Sequence, residues 1–132
     1  MVRGPCCLAA LVALLSAAPA PAQVKPIPTR PMDPGSAREE WKPGKADRRL
    51  CIDTAGIAGA IVIDPRRLEI YDRAGRRFQL TFAEDCPHLS YYGGFYYRAD
   101  DAGQICASRD ALMGRAGGSC RIRAIAPMRR VR

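Results

Sequence analysis

Four cysteines, Cys51, Cys86, Cys106 and Cys120, follow an opening segment that reads as an export signal, and no other feature constrains the fold as tightly. Arg3 supplies a positive start. Residues 8–15 form an uncharged apolar run, and Ala20-Pro21-Ala22 fits a small-residue cleavage pattern. Cleavage is expected after Ala22, with Gln23 then first. The apolar run is far shorter than the roughly 20 residues a membrane span needs, and Pro19 and Pro21 interrupt its end. Gln23 stands where a lipoprotein would carry cysteine, and Cys6 and Cys7 leave with the signal. The mature chain then holds an even set of four cysteines in an oxidising compartment, periplasmic or extracellular, and two disulfides are expected.

The formal net charge is +8, or +7 once Arg3 is removed, and arginine dominates it, because Lys25, Lys42 and Lys45 are the only lysines. A basic surface favours anionic envelope components such as glycan, peptidoglycan or lipid headgroups. The charge is diffuse, so nucleic acid is not expected, and no later stretch is apolar enough to span a bilayer.

Four segments follow along the chain: the signal over 1–22, a linker over 23–49, a β domain over 50–126 and a basic tail over 127–132. The linker carries Pro26, Pro28, Pro31, Pro34 and Pro43 and few aliphatic side chains. Such a stretch buries too little apolar area to offset its ordering entropy, and it reads as disordered. Trp41 lies within it.

In the domain, residues 58–64, 68–71 and 77–82 read as three strands joined by turns at Asp64-Pro65 and Asp72 to Gly75, a β-meander. Residues 95–98 and 104–107 flank a turn and read as a second hairpin. Residues 110–113 fit a strand or a helical turn, 114–118 a loop, and 120–125 a last strand. Five or six short strands and no long helix predict a small barrel or two-layer sandwich stabilised by disulfides. Asp53 is placed to cap a turn ending near Gly56.

The pattern around the cysteines resembles a family of small exported proteobacterial proteins described only as a domain of unknown function. The residues that carry it are Arg49-Leu50-Cys51-Ile52-Asp53, Ile57, Val62-Ile63-Asp64, Phe78, Leu80, Cys86-Pro87-His88-Leu89, Ile105-Cys106, Asp110-Ala111-Leu112 and Cys120-Arg121-Ile122, over residues 49–126. The family usually sets an acidic residue closer to its third cysteine than Asp110 lies to Cys106. The resemblance implies a four-cysteine exported β-module and supplies no reaction.

The intervals between the four cysteines are 35, 20 and 14 residues, so the short pairing of a zinc knuckle is absent from them. Four cysteines allow three connectivities. The nested one, Cys51–Cys120 with Cys86–Cys106, is favoured because a closed sheet brings its first and last strands together. His88 is the only histidine, which excludes two-histidine chemistry. A hydrolase built on it would need a partner in hydrogen-bond reach, for which only Ser90 lies near in sequence. No catalytic residue, metal or cofactor is assigned. The run from Tyr91 to Tyr97 holds five of the nine aromatic residues. Alternation along a strand sends some of Tyr91, Phe95 and Tyr97 inward and leaves Tyr91, Tyr92, Tyr96 and Arg98 as candidates for stacking on a sugar. Gly93-Gly94 marks a tight turn or a close backbone approach. The reading is a non-enzymatic structural or binding module of the cell envelope. Glycan binding and inhibition of an envelope enzyme are its alternatives, with a His88 hydrolase behind them.

Overall fold

A computed structural model describes residues 24–31, 40–87, 89, 94–98, 102–115 and 117–131. Ten strands account for most of these: β1 (Val24–Pro31), β2 (Glu40–Pro43), β3 (Cys51–Asp53), β4 (Ile57–Asp64), β5 (Arg67–Asp72), β6 (Arg77–Phe82), β7 (Gly94–Arg98), β8 (Gln104–Cys106), β9 (Ala111–Gly114) and β10 (Ser119–Val131). Among the described residues there is no α-helix.

The meander forms as its alternation requires. β4, β5 and β6 pair antiparallel in succession, with Ile70 opposite Phe78 and Leu68 opposite Leu80. Leu68, Ile70, Leu80 and Phe82 are buried. Gly75 takes a φ of 85° at the second turn, where a Cβ would be strained. Asp72 shapes that turn. Its side chain is 4% exposed and accepts hydrogen bonds from Arg76 N at 2.7 Å and Arg76 Nε at 2.6 Å.

The remaining strands close the sheet. Neighbours run β10-β6-β5-β4-β1-β7-β9, and β9 pairs again with β10, which makes a seven-stranded barrel. Every pair in it is antiparallel except β1–β4. A parallel pair needs a long crossover, here residues 32–56. The barrel is filled by side chains. Phe82, Phe95, Leu68, Ile70, Leu112, Ile122 and Ile125 are all at most 1% exposed. β3 and β8 form a separate two-stranded sheet, whose Ile52 and Ile105 join the same core.

The small disulfide-held barrel is thus the fold, and its strand set is larger than five or six because residues 24–31, from the stretch read as a linker, join it as β1. The stretch read as a Pro-rich linker supplies β1 and β2. β1 pairs with β7 over Val24–Pro28 and with β4 only from Thr29 onward. Pro26 and Pro28, which donate no amide hydrogen, therefore sit where the ladder has one partner strand, a position that tolerates proline. Ile27 between them is buried at 2% exposure. The basic tail is likewise the end of β10, paired with β2 from Met128 to Val131. Trp41 on β2 docks on the barrel, with the guanidinium groups of Arg77 and Arg130 4.7 Å and 5.5 Å from its ring centroid. The expected hairpin of 95–98 with 104–107 does not form. β7 pairs with β1 and β9, and β8 with β3.

The disulfides join Cys51 to Cys106 and Cys86 to Cys120, not the nested pairs expected. The nested reading made the strand of Cys51 the first strand of the closed sheet. That place belongs to β1. β3 leaves the barrel and lays Cys51 directly opposite Cys106 across β8, at a Cα–Cα distance of 4.0 Å. Cys120, at the start of β10, is then left for Cys86, at 5.9 Å. Asp110 serves this region, accepting the Cys106 N–H at 2.7 Å while its own N–H donates to the Cys106 carbonyl. Asp53 accepts the Ala55 N–H at 2.9 Å, as its capping position predicts. Two disulfides in so small a fold place it in an oxidising, non-cytoplasmic environment. Among the described residues no helix is long and apolar enough to cross a membrane.

Candidate functional site

Buried side chains fill the barrel, so a candidate site is sought on its outer wall. Phe95 and Tyr97 point inward and are buried, which leaves Tyr96 and Arg98 on the outer face of β7. Register then sets the neighbours of Tyr96. Pro26 on β1 and Met113 on β9 flank it, and Met113 faces Ser119 on β10. Pro26 and Ser119 are exposed, and Tyr96 and Met113 are half-buried, so the row is a shelf open to solvent.

The β9–β10 connection raises a wall along this shelf. Gly117 and Gly118 take φ values of 97° and 80°, turning the chain back on itself. Arg115, at the start of that turn, lays its guanidinium 5.7 Å from the centroid of the Tyr96 ring. The result is an open groove of about 550 Å³ lined by Tyr96, Met113, Gly114, Arg115 and the Gly117–Ser119 turn. Its volume is that of a small-ligand site. The cation over the ring is exposed, so a stack of this kind contributes only about 0.5–1 kcal/mol.

Gly94 fixes where Tyr96 stands. A Cβ there would lie 2.8 Å from the Ile27 carbonyl oxygen, so β7 approaches β1 closely only because the residue is glycine. Of the two roles open to the glycine pair, Gly94 fills that of close backbone approach.

Of the candidate binding residues, Tyr96 lines the groove. Arg98 is exposed on the same face of β7, opposite Val24 in register, but does not line it. Tyr91 and Tyr92 lie outside the described residues, as do His88 and Ser90. Met113 and Arg115 were not foreseen. Their approach to Tyr96 depends on β7 pairing with β9, and the glycines at 117 and 118 were the only local mark of the turn. Among the described residues no three His, Cys, Asp or Glu side chains converge as a metal site would require. No protein family, curated protein or solved structure matches this chain.

Proposed function

We propose that the protein is an exported, non-catalytic binding module of the cell envelope, periplasmic or secreted, and that the groove beside Tyr96 takes a sugar ring. The observation that carries this reading is the juxtaposition of a solvent-open tyrosine with an arginine and a polar turn, on a barrel whose interior is filled. Aromatic faces stack on the apolar faces of sugars, and the adjoining guanidinium and backbone groups supply donors to hydroxyl and carboxylate oxygens. The opening segment that reads as an export signal and the two disulfides support the envelope setting.

The test is retention on purified peptidoglycan. Tyr96→Ala should abolish it while the circular dichroism spectrum and both disulfides stay as in the native protein. Arg115→Gln should weaken it. Equal retention of native and Tyr96→Ala protein rules the groove out as a sugar site.

A further inference from the structure

A second groove, of about 510 Å³, lies on the outer wall of β5, β6 and β10. Arg66, Arg67, Thr81 and Arg123 line it, together with Asp64 and Asp85. In sequence Arg66 and Arg67 are neighbours, and Arg123 lies far from them. Pairing brings them together, because Thr81 faces Arg67 on β5 and Ala124 on β10, the neighbour of Arg123.

Two of the three guanidinium groups are held from behind. Asp64 Oδ2 accepts from Arg67 Nε at 2.6 Å, and Asp64 Oδ1 accepts the Arg66 N–H at 2.8 Å. The Ala83 carbonyl accepts from Arg66 Nη2 at 2.8 Å, with Asp85 Oδ1 3.6 Å from Arg66 Nε. Desolvation alone would raise the pKa of the Asp64 carboxyl. The Arg66 N–H and the Arg67 side chain outweigh it and hold the group below its ordinary value, so the anchor stays charged. Neither the Arg123 guanidinium nor the Thr81 hydroxyl has a hydrogen-bond or ion-pair partner among the described residues. A guanidinium offers five donors in a planar fork, so fixing Arg67 through Nε leaves its terminal nitrogens open. Three cations against two carboxylates leave the groove one positive charge in excess, which a singly charged oxyanion would neutralise.

We propose that Arg66, Arg67 and Arg123 form an oxyanion site for a carboxylate or phosphate ester, and that Arg121 links it to the Tyr96 groove so that the two together accept an acidic glycan. The link is the outer face of β10. Ser119, Arg121 and Arg123 are exposed and alternate with the half-buried Cys120 and buried Ile122. Ser119 lines the Tyr96 groove and Arg123 the arginine groove, about 13 Å apart along the strand. The linkage rests on the sugar reading of Tyr96, whereas the oxyanion site does not.

The experiment is an NMR titration of the full disulfide-bonded protein with inorganic phosphate and with acetate, followed by polygalacturonate. At least one small anion should saturate shifts at Arg66, Arg67, Thr81 and Arg123, and the tighter-binding of the two distinguishes phosphate ester from carboxylate. Arg123→Gln should weaken that binding at least about tenfold, the loss of one charge-assisted pair, while Tyr96→Ala leaves it unchanged. Polygalacturonate should bind more tightly than acetate and be weakened by both variants. If neither small anion saturates, or Arg123→Gln binds as the native protein does, the oxyanion site is overturned. If Arg123→Gln weakens the polymer and Tyr96→Ala does not, the oxyanion site stands and the linkage to a sugar groove falls.

Discussion

The barrel has two halves built on different terms. In β4, β5 and β6 each strand pairs with the next through a short turn, so every ladder closes a small loop. Around the rest of the ring β9 and β10 join through a short turn, but the other partners come from far apart: Val24 faces Arg98, Thr29 faces Ala60, and Phe82 faces Ile122. Closing a long loop costs more entropy than closing a short one. The second half therefore needs compensation, and one disulfide bears on it directly while the other fixes the sheet packed beside it. Cys86–Cys120 ties the end of the meander to β10, and Cys51–Cys106 holds β3 to β8 against the core. Local alternation sustains the meander, while one covalent link and one close glycine contact help to hold the rest of the ring.

The largest break in that comparison should come from removing the seam. Replacing Cys86 and Cys120 by serine releases a link spanning 34 residues. Loop-closure entropy alone then predicts a loss of about 4 kcal/mol, read as a lower urea midpoint with a steeper slope, because the freed denatured chain exposes more surface. Amides of β9 and β10 should lose hydrogen-exchange protection before those of β4 and β5. Uniform loss across the barrel would show that the halves do not differ.

A smaller break falls on the β1–β7 contact. Gly94→Ala places a methyl group 2.8 Å from a backbone oxygen. We expect about 1–3 kcal/mol of destabilisation, with β1 amides exchanging faster. An unchanged melting curve would mean that the close approach is not required.

The smallest effect sharpens the meander side. Desolvation would raise the pKa of the Asp72 carboxyl, but the Arg76 N–H and the Arg76 guanidinium hold it below the ordinary 3.8. A lowered folded value stabilises the protein fully at pH above that ordinary value and is lost as pH falls through the folded one. Asp72→Asn should therefore cost about 1 kcal/mol at pH 7, since the amide oxygen still accepts from Arg76 N. The difference from the native protein should shrink on acidification below the ordinary value. A difference that persists at low pH would show that the charge is not its source.

The meander was legible because its pattern and its pairing are both local. Phe78, Leu80 and Phe82 alternate, and the strand they face is the neighbour in sequence. The hairpin drawn from 95–98 to 104–107 failed on the same logic. Adjacent strands were assumed to pair, yet β7 finds β1 and β9. Proline content hid β1, because a stretch rich in residues without an amide hydrogen looks unable to enter a sheet. It enters through a half-occupied edge. Tyr96 and Arg98 were recognisable as outward-facing by alternation alone. Arg115 and Met113 were not, since only the β7–β9 register brings them to Tyr96. The arginine groove was hidden for the same reason, with Arg67 and Arg123 meeting only across β6.

By itself, then, the sequence determined the class of object: a small mainly-β module with an even set of cysteines for an oxidising compartment, a three-strand meander and a tyrosine facing solvent. These follow from composition and short-range alternation, which act over a few residues. The tertiary structure decided which cysteines pair, that the Pro-rich stretch supplies a barrel strand and the basic tail extends β10, and which side chains share a groove. Those depend on strand order and register between distant segments, where many pairings satisfy the same alternation and only the closed, fully packed ring selects among them.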